Sequence, residues 1–289
     1  MSTLFISLLS GVTGMFGWGV TDFFSGIFSK KIGPYRTVFW IQLIGLLALL
    51  PLIPLVTISI PLSLSMWLLL LLGALCFTGA YLSFFRGFEI GNISIVAAIM
   101  NIWTVFTMLF AYLFMGQRLS TLQLIGVILI VSGATLASIN WKEIKNSRFK
   151  LSLGVKETVV GAVFFGIFWN FSEIISEEIG WLAATLYIKV GVIFFLLIIA
   201  VRFKKKILIQ GATRKTTIIL ILIGALEAGT NAVVNYGLTI GDAILISPIS
   251  SALSVVTITL AIVFLKERVT LFQGFGIVIA VLGIVLTGV

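Results

Sequence analysis

Apolar residues along this chain come in unbroken runs rather than in alternation. Stretches such as "LLALLPLIPLV" and "FGIVIAVLGIVL" are apolar at every position or nearly so, whereas a barrel strand would alternate apolar and polar residues over about ten positions. A helix crossing the hydrocarbon core takes roughly 20 apolar residues. Ten runs of that kind are present, at 4–28, 37–56, 66–85, 93–115, 121–140, 156–178, 181–201, 216–236, 243–265 and 271–289. The pattern predicts an all-α integral membrane protein of ten transmembrane helices. The connections are mostly too short for a separate soluble domain. Only Ser2 and Thr3 lie between Met1 and the first run, so no basic n-region and no cleavable signal peptide are expected.

Composition agrees with this reading. The 289 residues are 60% hydrophobic and only 10% charged, with a mean hydropathy of +1.23, and soluble domains are nearer a quarter charged. Histidine is absent, which removes His-based triads, HExxH metal sites and histidine proton relays together. Cys76 is the single cysteine, so no intramolecular disulfide can form, and a small packing residue is expected there. No catalytic residue, metal or cofactor is expected.

The net charge of +9 is no signal for nucleic acid, because its distribution follows the membrane. Connections after odd-numbered spans hold Lys30, Lys31, Arg36, Arg86, Lys142, Lys145, Arg148, Lys150, Lys156, Arg202, Lys204, Lys205, Lys206, Arg214, Lys215, Lys266 and Arg268. That is 17 of the 19 basic residues. The opposite side has Arg118 alone, and Lys189 lies within a span. By the positive-inside rule the odd connections are cytoplasmic and both termini lie outside. The lipid bilayer is thus one partner, and the basic cluster at 202–215 is placed to meet anionic headgroups.

The two halves repeat. At an offset of 150, "RGFEIGNISI" (86–95) sits against "YGLTIGDAIL" (236–245), and "QRLSTLQLIGVILIVSG" (117–133) against "ERVTLFQGFGIVIAVLG" (267–283). Arg118/Arg268, Gln123/Gln273, Gly126/Gly276 and Gly133/Gly283 coincide without a gap. "SKKIG" (29–33) parallels "SEEIG" (176–180). The chain divides into a first five-helix repeat over 1–140, a basic linker over 141–155 and a second repeat over 156–289. Five spans per repeat is an odd number, so the second half enters the membrane inverted. Inverted repeats are a transporter device, with the substrate site near the midplane where the repeats meet.

The Trp-Gly of the first span, the "GQRLSTLQLIGVILIVSG" and "KERVTLFQGFGIVIAVLG" segments and ten spans in two halves resemble the EamA family of drug/metabolite transporters. The resemblance covers essentially the whole chain and implies transport of a small metabolite, with no enzymatic activity. Three features depart from the family pattern. Gln117 stands where a glutamate is usual, although Glu267 keeps it in the second half. Thr104 and Ser254 replace a common proline. The orientation often given for the family puts the termini in the cytoplasm, against the charge bias here.

Polar residues within the spans are the candidate site. An ionised group near a helix centre costs roughly 2.5–3.5 kcal/mol on an insertion scale, so each needs a partner, a watery cavity or access to the interface. "WGVTD" (18–22) and "WNFSE" (169–173) repeat one pattern, which places Trp18 with Asp22 and Trp169 with Glu173, each pair on one helical face. Either carboxylate could serve the site, reach the interface or cap a neighbouring helix. Glu227, Asn231 and Asn235 form a stripe at i, i+4 and i+8, and the repeat sets Phe77, Tyr81 and Phe85 opposite in the third span. Such a stripe suits an amphipathic metabolite, or the asparagines hydrogen-bond between helices. Lys189, whose repeat partner is Gln42, could pair with Glu173 or Glu227 or bind an anionic group. Asn101, Trp103 and Ser250 fill out the fourth and ninth spans, where Pro248 either kinks its helix or sits in its first turns.

These residues point to a secondary transporter working by alternating access, with a proton on a buried carboxylate as candidate coupling ion. Glu227 ranks first for that role, being nearest the centre of its span. The alternatives are an uncoupled facilitator or exchanger and, in other classes, a membrane receptor or intramembrane enzyme. The expected place is the cell membrane. A paired reporter fused to the C-terminus is expected to read an outer-side location; activity confined to the cytoplasmic reporter would overturn the orientation and leave the helices untouched.

Overall fold

The computed structural model describes residues 3–56, 58–91, 96, 99–138, 154–209, 211, 213–265 and 271–287. They form helices α1 (Thr3–Ile32), α2 (Pro34–Leu49), α3 (Leu64–Ile90), α4 (Ile102–Phe114), α5 (Thr121–Ser138), α6 (Val155–Ile179), α7 (Trp181–Phe203), α8 (Arg214–Leu238), α9 (Ala243–Ser251), α10 (Leu253–Leu265) and α11 (Leu271–Thr287). Among the described residues six segments are helical, long and apolar enough to cross a membrane: Thr3–Ile32, Pro34–Leu55, Leu64–Ile90, Val155–Ile179, Trp181–Phe203 and Arg214–Leu238. Shorter apolar helices lie at Ile102–Phe114, Thr121–Leu136, Ala243–Thr257 and Gly274–Leu286. Most of the 141–155 linker, with Trp141, Lys142, Lys145, Arg148 and Lys150, lies outside the described residues, as do Lys266, Glu267 and Arg268.

Helix ends follow local chemistry. The Ser63 hydroxyl accepts from the Met66 amide at 3.2 Å at the start of α3, and the Thr213 hydroxyl does the same for Thr216 at the start of α8. The turns in "SKKIG" and "SEEIG" are conformational copies. Gly33 (φ 88°, ψ 152°) and Gly180 (φ 86°, ψ 153°) occupy a region that side chains avoid. Their amides close on Ser29 and Ser176 carbonyls at 3.1 and 2.9 Å. Here the repeat seen in the sequence is a repeat of backbone geometry.

Two spans differ from their continuous hydropathy. The second is α-helical only to Leu49 and continues as a 3-10 turn over Leu50–Leu55, where Pro51 and Pro54 lack the donors an α-helix needs. The ninth is broken at Ala252 between α9 and α10. The Ala252 amide bonds to Ile249 three residues back, and the Ser251 hydroxyl takes the Pro248 carbonyl at 2.7 Å. The fourth span is interrupted at Asn101, one repeat length away, where the Thr104 amide reaches back to the Asn101 carbonyl. Asn101 Nδ2 donates to Ser254 Oγ at 3.3 Å, so the two breaks sit beside each other.

Glycines set the packing between halves. A Cβ on Gly133 would lie 2.5 Å from the Ala280 amide nitrogen and 2.7 Å from the Gly276 carbonyl; one on Gly283 would lie 2.5 Å from the Gly126 carbonyl and 2.7 Å from the Ile130 nitrogen. Each contact is the other shifted by the 150-residue offset, and residue numbers run in opposite directions along the two helices. So α5 and α11, last in their respective halves, pack antiparallel at backbone distance. The same reciprocity joins α3 to α6 and α8 to α1, with Gly87 against Thr158 and Gly237 against Ser10. Gly283→Ala is expected to destabilise by about 1–3 kcal/mol. Gly274→Ala in the same helix meets open space and should be neutral or stabilise by about 0.5–1 kcal/mol. Thermal melting in detergent compares the two.

Candidate functional site

Where the halves meet, repeat mates touch. Trp18 and Trp169 meet at a tilt of 45° with ring centroids 4.9 Å apart, and Trp103 stands edge-on to Trp18 at 6.4 Å and tilted against Trp169 at 6.3 Å. Lys189 Nζ donates to Gln42 Oε1 at 2.8 Å. Two pairs of equivalent residues in contact place the pseudo-two-fold axis between them.

Around the axis lies a buried polar network. Lys189 Nζ meets Glu227 Oε2 at 2.6 Å, with both side chains at 1% exposure or less. Glu227 Oε1 accepts from Gln42 Nε2 at 3.0 Å, Tyr81 OH at 3.1 Å and Asn231 Nδ2 at 2.7 Å. Asn231 Oδ1 in turn accepts from Trp18 Nε1 at 2.9 Å. An ionised pair is tolerable in such surroundings only when its remaining hydrogen-bonding capacity is filled, and here α1, α2, α3, α7 and α8 each supply a member. Of the options open to Lys189, the structure takes Glu227. Asn235 accepts from Ser172 Oγ at 2.9 Å and donates to Thr185 Oγ1 at 2.8 Å, which is hydrogen bonding between helices.

Beside the network is a chamber of about 30 Å³ lined by Trp18, Asp22, Tyr81, Trp103, Trp169 and Phe165, with Phe84, Met100 and Leu253 closing it. Every lining residue is buried. Asp22 is the carboxylate on its wall, and it makes no hydrogen bond among the described residues. Asn231, Asn235 and Lys189 border a second, smaller space of about 10 Å³ on the far side of Trp169.

Glu173 stands apart, 70 residues before the start of α9 in sequence and against it in space. Its Oε2 accepts from the Ala243 amide at 3.3 Å and its Oε1 from Gln117 Nε2 at 2.6 Å, while Gln117 Oε1 accepts from Ile244 at 3.2 Å. Two side chains thus satisfy amides at the N-terminus of α9, which Asp242 leaves without a side-chain cap. Asn101 and Ser250 also serve packing: Asn101 bonds Ser254, and Ser250 Oγ donates to the Gly11 carbonyl at 3.2 Å. Of the residues singled out in the sequence, Trp18, Asp22, Tyr81, Trp103 and Trp169 line the chamber, and Lys189, Glu227 and Asn231 brace it. Phe84, Met100, Phe165 and Leu253 were not anticipated, since an apolar residue facing a chamber carries no mark that separates it from core.

Removing one member of a buried ion pair strands the other. Lys189→Met is expected to cost about 3–5 kcal/mol. Adding Glu227→Gln, which keeps acceptors for Tyr81, Gln42 and Asn231, should recover more than half of that loss in thermal melting.

Comparison with known proteins agrees with this architecture. A crystal structure of another protein superposes with a TM-score of 0.76 at 13% identity, covering 97% of this chain and 94% of that one, which is a likeness of fold. An uncharacterized protein of Methanocaldococcus jannaschii is 33% identical over 134 residues, 44% of this chain and 90% of its own length. An uncharacterized transporter of Sinorhizobium sp. is 32% identical over 73 residues, 25% of this chain and 52% of its own. The EamA-like transporter family matches twice, over 5–139 and 153–289. With both halves matched, the chain belongs to the EamA-like transporter family.

Proposed function

We propose that this protein is a secondary transporter, crossing the cell membrane ten times with both termini outside, that carries a small organic solute by alternating access. The aromatic chamber is the solute's seat and Asp22 its charged contact. One observation carries the reading: a carboxylate with no hydrogen bond among the described residues opens onto a chamber where repeat mates from both halves touch. Six aromatic rings around one carboxylate favour a solute with a protonated or quaternary amine, held by the charge and by the faces of the rings.

Alternating access follows from size. A space of about 30 Å³ holds roughly a water molecule, so a solute fits only when the halves separate. The breaks at Asn101 and Ala252 lie beside the chamber, next to Trp103 and Leu253, and give the fourth and ninth spans a place to bend.

For proton coupling the geometry favours Asp22 over Glu227, the reverse of the ranking from span position. A proton on Glu227 would have to compete with an ammonium and three further donors. A proton on Asp22 displaces no hydrogen bond among the described residues. An uncoupled exchanger is the second reading, and the same variant separates the two. In proteoliposomes, Asp22→Asn is expected to abolish pH-driven accumulation of an amine solute, while counterflow exchange persists only at raised solute concentration, because the ring faces remain and the binding charge is gone. Glu227→Gln should slow both modes together. Accumulation by Asp22→Asn at the wild-type level would remove Asp22 from coupling, and absence of flux for any solute in the wild type would overturn the transport reading.

A further inference from the structure

At the basic end of the bundle, α1 turns into α2 and α7 runs out. Arg36, Arg86, Lys204, Lys205 and Lys206 line a cavity there of about 690 Å³, with Glu89 the acid on its wall. Glu89 is already paired with Arg86, and no ion pair among the described residues engages the three exposed lysines. They are held in place by the backbone. Lys204 ends α7 in the left-handed region (φ 49°, ψ 40°), which lets the Lys205 amide close on the Ala200 carbonyl at 3.0 Å. The chain then lies across α2, where Arg36 Nε donates to the Lys206 carbonyl and Trp40 Nε1 to the Ile207 carbonyl, each at 3.0 Å.

Beyond this strap an apolar groove of about 590 Å³ opens between α2 and α8. Trp40, Ile44 and Leu47 form one wall, Leu220 and Ile221 the other, and Leu208 lies at its mouth. Arg36, Trp40, Ile44 and Leu47 follow one stripe of α2, so the basic cavity and the groove lie along one face of that helix, with the strap crossing between them. From Arg36 to Leu47 the helix rises roughly 16 Å at 1.5 Å per residue, which is about half the thickness of the hydrocarbon core. A cluster of cations at one end and an apolar slot one leaflet deep at the other match the two parts of a phospholipid.

We infer that this is a seat for one anionic phospholipid of the leaflet on the basic side. Its phosphate lies among Arg36 and Lys204–Lys206, and one acyl chain fills the groove. Charge complementarity selects the anionic headgroup. Because α2 belongs to the first half and α8 to the second, the lipid bridges the halves that the chamber separates.

Native mass spectrometry of the detergent-purified chain tests this, with phosphatidylglycerol and phosphatidylcholine of identical acyl chains as probes. The wild type is expected to retain one phosphatidylglycerol in preference to phosphatidylcholine. Replacing Lys204, Lys205 and Lys206 together by Gln should weaken phosphatidylglycerol roughly a hundredfold and erase the preference, taking about fivefold per lost cation. Ala48 is exposed in the groove, and Ala48→Trp should displace the acyl chain with all charges intact. Melting in lipid-free detergent identifies a variant that fails to fold, and the other variant then carries the test. Equal retention of the two lipids by the wild type overturns the proposal. So does unchanged phosphatidylglycerol binding by a folded Ala48→Trp, and so does displacement of the lipid by millimolar inorganic phosphate, which would make the cavity a site for free phosphate.

Discussion

The contact between Lys189 and Glu227 is the constraint around which this bundle is arranged. Two opposite charges 2.6 Å apart and out of reach of solvent need every remaining donor and acceptor filled, or the desolvation penalty exceeds their attraction. Filling them draws Gln42 and Tyr81 inward from two other helices and turns in Asn231 from the next turn of α8, and Asn231 fixes the indole of Trp18. The indole then packs at a tilt against Trp169 from the opposite half. The shape of the chamber is therefore set by hydrogen bonds behind it. Glu227 is the brace, and Asp22 is left as the carboxylate facing the cavity.

Much of the fold was legible in the sequence because a membrane span needs a long apolar run and because this chain states its plan twice. The offset that aligns Gly133 with Gly283 is the one by which their packing contacts are related, and the offset that aligns "SKKIG" with "SEEIG" pairs Gln42 with Lys189, which touch. Pro51 and Pro54 passed as part of one apolar run, although the missing donors end the α-helix before them, and Pro248 pointed to the region of the ninth-span break without locating it at Ala252. The interruption at Asn101 has no such marker; it is visible only as the partner of the break one repeat away.

The site was legible by residue type and not by role. Intramembrane polarity singled out Asp22, Glu173, Lys189 and Glu227 alike, since the cost of burying a charge is the same before its partners are known. Their roles depend on what packs beside them. Glu173 lies against the first amides of α9 and Gln117 shares that task, so the missing glutamate at position 117 still leaves a cap of two side chains. Asp22, its counterpart in "WGVTD", faces the chamber instead. Equivalent positions in an inverted repeat need not do equivalent work, because the segments around them have diverged.

The packing of α5 on α11 has a consequence for how such a chain can arise. Gly133 rests on Gly276 and Ala280, and Gly283 rests on Gly126 and Ile130, so the same helical surface serves as both sides of the contact. A surface complementary to itself under a two-fold rotation is an isologous dimer interface. Two separate copies of one half could meet through it in opposite orientations, and the Methanocaldococcus jannaschii relative matches over a stretch about as long as one half. Joining the copies end to end raises their effective concentration without adding a contact. It also frees each copy to change alone, which a symmetric dimer forbids: a lysine can then face a glutamine across the axis where two lysines would repel.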